Sequence, residues 1–238
     1  LLPVIYFFRK NDSLLHFVKP VFDRRVFLKT CTNGSSELMT NLSMSLVNAL
    51  YNLQLMKIAG ENGVAAYGAV MYVNFIFVAT FLGYAIGCAP VISYHYGAGN
   101  HAELKNLYKK SMSIILVWGV ILFGAAQLLA PVLSKIFVGY NTGLYAMTLH
   151  GFRVYAIAFL IIGINIFGSS FFTALNNGLI SAVISFLRTL VFQVIMVLTL
   201  PLWFGINGIW SAISVAEALT LIMTTTFFVR QKDKYHYL

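Results

Sequence analysis

The stretch NGSSELMTNLSMSLVNALYNLQLM, residues 33–56, carries polar groups at regular spacing within an otherwise apolar run. These groups are Glu37, Asn41, Ser45, Asn48 and Asn52. At 100° per residue they fall within an arc of about 80° on one helix face. Because polar groups are costly in hydrocarbon, this face is expected to contact protein or water. Two interpretations stay open: hydrogen bonds between helices, and the wall of a water-filled cavity.

Glu37 supports two kinds of chemistry. It follows Gly34 by three residues, a position at which a first-turn carboxylate stabilises a helix N-terminus. A carboxylate on a cavity wall can instead bind a proton or a cation. The two roles are compatible, and Glu37 is the candidate for ion or proton coupling.

A second stretch repeats the spacing of the first. Offsets of 0, 4, 8 and 11 residues relate Asn165, Ser169, Thr173 and Asn176, as they relate Glu37, Asn41, Ser45 and Asn48. Two helices with matched polar faces could line one cavity, or could hydrogen-bond as packing faces. We predict that both sets are cavity-lining.

Two further charges lie deep within apolar runs. Arg188 and Glu217 each lie about ten residues, or ~15 Å, from the nearer end of their own run. The short gap at 204–206 makes the two runs antiparallel neighbours. An isolated charge at that depth is expensive, so we predict an Arg188–Glu217 ion pair within the membrane.

The elements that position these residues follow from composition. The 238 residues are 59% hydrophobic and 10% charged, against about 25% charged in soluble domains. A spanning helix needs ~20 mostly apolar residues, which predicts an all-α integral membrane protein, a six-helix bundle. The predicted spans are 35–58, 64–94, 111–133, 145–174, 178–203 and 207–229. Residues 23–32 are predicted to form a short interfacial helix that Asp23 caps.

The basic residues predict the orientation of the chain. Twelve of the sixteen Lys and Arg fall near the chain ends or in the gap near residue 105, on one side of the membrane, and two fall on the other. By the positive-inside rule both ends are cytoplasmic, in the cytoplasmic (inner) cell membrane. The predicted units are residues 1–22, the end of a preceding helix and a connector; 23–230, the six-helix lobe; and 231–238, a tail.

Several functional classes lack their motifs. The sequence contains no GxxxxGK[ST], HExxH or GxSxG, and therefore does not indicate nucleotide binding, metalloprotease or serine hydrolase chemistry. Its basic residues are distributed as in a membrane protein, which argues against a nucleic-acid partner. We predict no catalytic residues, no metal and no cofactor.

Two segments resemble the multidrug and toxic compound extrusion (MATE) family. One runs from GVAAYGAVMY through GCAPVISYHYGAGN to NLYKKS, and the other from FFTALNNGLISAVISFLRTL through LPLWFGINGIW to VAEALT. The resemblance covers roughly residues 20–230 and implies the C-terminal lobe of a twelve-helix transporter made of two six-helix lobes. Residues 1–8 would then end the N-terminal lobe, which would be the partner of this one within the lipid bilayer.

The resemblance also implies a function. Such transporters export organic compounds, often cationic and amphiphilic, in exchange for H⁺ or Na⁺ by alternating access. Many members place an acid in the first helix of this lobe, which points to Glu37. Sodium-coupled members add an acid on the fourth helix, where the present sequence has none between Arg153 and Asn176.

Two alternatives remain open. A lipid-linked oligosaccharide flippase of the same broad fold would need a markedly cationic cavity, and Arg153 and Arg188 are the intramembrane cations predicted here. A non-transporting membrane fragment or scaffold is the alternative from another class.

Overall fold

A computed structural model describes the backbone of residues 22–237 and, within that range, the side chains other than those of residues 26 and 28–40. The predicted helix end at 1–8 lies outside these residues. The chain divides into two compact units, Leu1–Leu38 and Met39–Leu238. The predicted division at residues 22 and 23 stays a prediction.

The described part of the chain is helical. Its elements are α1 (Arg24–Gly97), α2 (His101–Val138), α3 (Thr142–Tyr155), a 3-10 turn (Ala156–Ala158), α4 (Phe159–Ala174), α5 (Gly178–Phe186), a π-helical segment (Leu187–Phe192), α6 (Gln193–Phe204) and α7 (Ile206–Tyr235). Within residues 22–237, five continuous stretches are long and apolar enough to cross a membrane. The first of these, Asn41–Gly97, is interrupted by the non-helical backbone of Gly60, so the stretches supply the six predicted spans.

The start of α1 corrects one prediction and confirms another. The backbone is helical from Arg24 onward without an interruption before Gly60, so residues 23–32 are not a separate short helix. Asp23 does cap this helix, because its Oδ1 accepts a 2.7 Å hydrogen bond from the backbone N–H of Arg25. The cap satisfies one of the unpaired N–H groups of the first turn.

Asparagines begin three of the other helices. Asn100, Asn141 and Asn177 are the N-caps of α2, α3 and α5, and each side chain accepts from the backbone N–H three residues later. Such caps define where the helices start within long hydrophobic runs. Between α6 and α7, Gly205 has φ 55°, a left-handed conformation that favours glycine and allows the tight reversal.

The helix α4 lies at the centre of the bundle and packs on α2, α5 and α7. Most of its side chains are buried. Its glycines permit close approach: a Cβ at Gly163 would overlap the ring of Phe81, and one at Gly168 would overlap Thr224. α4 is therefore the helix against which the others are positioned.

The start of α2 and the end of α7 meet at one end of the bundle. The rings of His101 and His236 lie 5.0 Å apart, and those of Tyr108 and Tyr237 lie 5.1 Å apart. The Tyr237 hydroxyl donates to the carbonyl of Phe228 at 2.9 Å. Burial raises the pKa of Tyr237 well above its usual range.

Candidate buried ion-pair site

The two deep charges lie together inside the bundle. Arg188 Nε donates to Glu217 Oε1 at 2.8 Å. The Glu217 side chain is 0% exposed and that of Arg188 is 18% exposed. A carboxylate without access to solvent requires a partner of opposite charge or a proton. This is the pair that the depth of the two charges predicts.

Asn165 of α4 holds the other oxygen of the same carboxylate. Its Nδ2 donates to Glu217 Oε2 at 2.7 Å and to the backbone carbonyl of Glu217 at 2.9 Å. Asn165 is itself 0% exposed. It therefore lies inside the packed bundle rather than on the open cavity wall that its place in the polar stripe predicted, because α7 covers that face of α4.

Buried tyrosines lie in the same part of the bundle as the pair. Tyr51 and Tyr155 are buried, and both lie close enough to Glu217 to interact with it electrostatically. The ring of Tyr67 stacks on that of Tyr51 at 4.9 Å, across the Gly60 break. The carboxylate is thus held by side chains of α4 and the π-helical segment, on α7.

Two backbone irregularities lie beside the pair. Arg188 belongs to the π-helical segment Leu187–Phe192, and the 3-10 turn Ala156–Ala158 follows directly after Tyr155. Both segments contact α7, the helix that carries Glu217. π-Helical turns are rare and occur frequently at functional sites.

A cluster of hydroxyl groups joins α4 to α5. Ser169 Oγ lies 2.9 Å from Ser181 Oγ and 2.7 Å from Ser185 Oγ, and Thr173 Oγ1 donates to Ser181 Oγ at 2.6 Å. Ser169 and Thr173 are therefore partners of α5 through Ser181 and Ser185. Thr173 is exposed at the end of this cluster.

The polar stripe on α1 has different surroundings. Asn41, Ser45 and Asn48 are exposed, and Asn52 is half-buried. Ser45 Oγ donates to the Asn41 carbonyl at 3.0 Å, and Asn52 Nδ2 donates to the Asn48 carbonyl at 2.9 Å. Ser45 and Asn52 thus bond to their own helix, and the exposed members of the stripe face outward from the described lobe.

Two predictions about single residues need correction. α4 ends at Ala174, so Asn176 lies in the following turn with φ 58° and does not continue the helical stripe. Asparagine tolerates this left-handed conformation better than most residues. Glu37 lies well beyond the first turn of α1, so it does not cap a helix start at Gly34. The side chain of Glu37 is outside the described residues, and its coupling role stays a prediction.

Sequence reasoning missed the contacts of Asn165 with Glu217 and the hydroxyl partners Ser181 and Ser185. Asn165 lies one turn before Ser169 on the same face, so the stripe identified it without identifying its partner.

Across the described side chains, no group of three His, Cys, Asp or Glu is placed to hold a metal ion.

Comparisons with known proteins relate the chain to one protein family and to several solved structures. The family model MatE matches residues 38–199. An outward-facing multidrug resistance MATE family transporter of the MOP superfamily matches with TM-score 0.85 and 19% identity, over 100% of this chain and 54% of that one. The inward-facing conformation of a multidrug resistance MATE family transporter of the MOP superfamily matches with TM-score 0.78 and 21% identity, over 97% of this chain and 55% of that one.

A MOP superfamily transporter from Pyrococcus furiosus matches with TM-score 0.84 and 19% identity, over 99% of this chain and 53% of that one. For that protein, reverse polarity of the binding pocket suggests a different function. The chain thus spans about half the length of the solved transporters that it matches. No curated protein matches this sequence.

Proposed function

Because the chain belongs to the MatE family and has the fold of a MATE transporter lobe, we propose that it forms the C-terminal lobe of a secondary active antiporter. Together with an N-terminal lobe, it exports organic, cationic and amphiphilic compounds in exchange for H⁺ or Na⁺. The two lobes rock about a central cavity, as in transporters built from repeats. The chain is a transporter component and not an enzyme.

The buried Arg188–Glu217 pair is the observation that supports this proposal most directly. Ionisable residues inside membrane helices are rare, and they commonly mark ion pathways or proton relays. In this lobe the pair connects α7 to the π-helical segment, with Asn165 of α4 as a third member. A charged network that joins three helices is suited to link ion binding to helix movement.

The exposed stripe on α1 supports a cavity between two lobes. It carries polar side chains beside exposed Leu42, Met44 and Leu46, a mixture suited to amphiphilic compounds. Glu37, four residues before Asn41 in the sequence, is the proposed coupling carboxylate. The remaining proposed cavity groups are Asn41, Ser45, Asn48 and Asn52.

Both chain ends are proposed to be cytoplasmic, in the inner cell membrane. The exposed Lys105, Lys109 and Lys110 lie on α2, whose start meets the end of α7. The end of α7 carries the exposed Arg230 and Lys232. This concentration of basic residues at one end of the bundle supports that orientation.

A reconstitution experiment tests the proposed function. The complete transporter is placed in liposomes, and accumulation of a fluorescent organic cation is measured under a proton gradient and, separately, a sodium gradient. We expect one gradient to drive accumulation and Glu37→Gln to reduce it about tenfold or more, within the range of typical coupling free energies.

The matched control is Glu61→Gln. Glu61 is an exposed carboxylate directly after the Gly60 break, and its replacement should leave accumulation unchanged. A complete transporter that accumulates no organic cation under either gradient contradicts the antiport proposal. Unchanged accumulation by Glu37→Gln contradicts the role of Glu37 alone.

A further inference from the structure

A groove opens on the surface of the bundle where the part of α1 after Gly60 runs beside α2. This α1–α2 groove has a volume of about 270 Å³ and is lined by Thr80, Phe81, Tyr84, Ile114, Ile115 and Trp118. Phe81 and Ile115 are buried and form its floor, whereas the other side chains reach the surface and form its rim. Drug-sized compounds occupy sites of about 300–1,000 Å³, so the groove suits a slimmer ligand.

The floor of the groove rests on the central helix α4. A Cβ at Gly163 of α4 would overlap both the ring of Phe81 and the side chain of Ile115. These two side chains therefore cannot sink further into the bundle, and close packing of this kind holds them in place. The groove is thus a preformed feature of the packed helices rather than a gap that its floor could fill.

The polar groups that line the groove donate their hydrogens to acceptors of the protein. Trp118 Nε1 donates to Thr80 Oγ1 at 3.0 Å, and Thr80 Oγ1 donates to the carbonyl of Phe77 at 2.7 Å. The Tyr84 hydroxyl donates to the Ser111 hydroxyl at 3.0 Å. Because an indole N–H and a hydroxyl each carry a single hydrogen, these three groups have none left for a ligand. The lining therefore favours a hydrocarbon chain over a ligand that needs hydrogen-bond donors.

A lysine lies at the end of the groove nearer to the start of α2. Lys110, Ile114 and Trp118 are spaced by four residues and therefore fall within an arc of about 80° on one helix face. Ile114 lies ~6 Å and Trp118 ~12 Å along the axis from Lys110, within the ~15 Å of hydrocarbon in one leaflet. The sequence has no charged residue between Lys110 and Lys135. Lys110 thus marks the polar boundary of the leaflet in which the groove lies.

The charge of Lys110 is available to a ligand. The side chain is exposed and forms no ion pair with any residue that the structure describes. The next acid on this face, Glu103, lies two turns closer to the start of α2 and accepts from Asn106 Nδ2 at 3.2 Å. A lysine at a membrane boundary keeps its ammonium group at headgroup level while its stem lies along apolar surface. Lys110 can therefore meet a phosphate whose acyl chain enters the groove below it.

We propose that the α1–α2 groove binds one acyl chain of an anionic phospholipid whose phosphate is held by Lys110. The surrounding lipid is as apolar as the groove, so close packing on the floor retains the chain and the lysine selects the headgroup. Under the proposed orientation this lipid belongs to the cytoplasmic leaflet, which carries the negative surface potential. The site is distinct from the transport cavity proposed beside the α1 stripe, and its test does not depend on antiport.

Photo-crosslinking in vesicles tests the site on the unaltered protein. The complete transporter is reconstituted in phosphatidylcholine with a small fraction of phosphatidylglycerol that carries a diazirine in the middle of one acyl chain, and labelled residues are mapped by mass spectrometry. We expect labelling within 80–84 and 114–118 that excess unlabelled phosphatidylglycerol suppresses and the same amount of added phosphatidylcholine does not. Absence of label from these residues, or equal competition by the two lipids, would overturn the proposal.

Two tryptophan substitutions separate the groove from the ordinary lipid-facing surface. Ile114→Trp places a bulky ring in the groove, whereas Leu116→Trp places the same ring on the far side of α2, about 160° away. The two positions are matched in exposure, at 49% and 48%. Labelling within 80–84 should be lost in Ile114→Trp and retained in Leu116→Trp. Equal labelling in the two variants would identify the lipid as part of the general bilayer and overturn the site.

A pair of lysine substitutions tests the headgroup contact. Lys110→Gln should lower labelling by phosphatidylglycerol about fivefold, the effect of one basic residue near an anionic membrane surface. Lys109→Gln removes the same charge from an exposed position that is about 140° from Ile114 around α2, and labelling should be retained. Equal losses in the two variants would assign the effect to net charge, and no loss in Lys110→Gln would exclude the contact; either result overturns the role of Lys110.

Discussion

The polar stripes of α1 and α4 share a spacing but have opposite surroundings. On α1, Ser45 and Asn52 donate to carbonyls of their own helix, and the stripe is largely exposed. On α4, Asn165 donates to Glu217 of α7, and Ser169 contacts hydroxyl groups of α5. The difference teaches that helical spacing identifies a polar face, whereas the neighbouring helices decide whether that face is a packing surface or an open one.

Removal of one member of the ion pair should have the largest effect on stability. Arg188→Met leaves the sealed Glu217 carboxylate without its counter-charge, and breaking a buried pair in this way costs about 3–5 kcal/mol. The measurement is the free energy of unfolding in mixed micelles. Arg188→Met/Glu217→Leu should be less destabilised than the single variant, and equal or greater destabilisation of the double variant would contradict the pairing.

The amides of the two stripes give the next largest contrast. Asn165→Ala leaves two acceptors of Glu217 without that donor and should cost about 2 kcal/mol. Asn48→Ala, on the exposed stripe, should change stability by less than about 0.5 kcal/mol. Unfolding of both variants in the same micelles checks the contrast, and similar costs at the two positions would show that the α1 stripe is also a packing face.

Glycines on the two helices provide a contrast in packing. A Cβ at Gly163 of α4 would overlap Phe81 and Ile115, so Gly163→Ala should cost about 1–3 kcal/mol. At Gly83 of α1 a Cβ would meet no atom within 4 Å, and Gly83→Ala should be neutral or stabilising by up to about 1 kcal/mol. Thermal unfolding of the two variants tests whether α4 is the central packing helix.

The hydroxyl groups should show the smallest contrast. Ser169→Ala removes contacts with Ser181 and Ser185, and interhelical hydrogen bonds in membranes contribute about 0.6 kcal/mol on average. Ser45→Ala removes a bond within one helix turn and should have no measurable effect. Double-mutant cycles of Ser169 with Ser185 give the coupling energy, and a value of zero would assign this cluster no role in stability.

The long apolar runs and the capping residues between them were sufficient to predict the six spans and the Asp23 cap. Lipid requires helices of a minimum length, and capping residues act on their immediate neighbours, so both signals are local in sequence. The continuous helix through Gly34 was not predicted. Glycine lowers helix propensity without preventing a helix, so Gly34 gave a false start that made Glu37 look like a capping residue.

The partners within the site were only partly predictable. Arg188 and Glu217 could be matched because isolated charges at similar depth on neighbouring helices have few alternatives. Asn165 had many possible partners, and its choice depends on the rotation of α4 against α7. The buried Tyr51 and Tyr155 come from helices distant in sequence, which no local pattern relates to Glu217.

The π-helical segment has a consequence for how this chain should be compared with its relatives. A π turn closes over one residue more than an α turn, so Leu187–Phe192 accommodates the equivalent of a single-residue insertion within an otherwise regular helix. Deletion of one residue there should return the segment to α-helical hydrogen bonding while α5 and α6 keep their relative rotation. Relatives that lack a π turn should therefore align with a one-residue gap at this position.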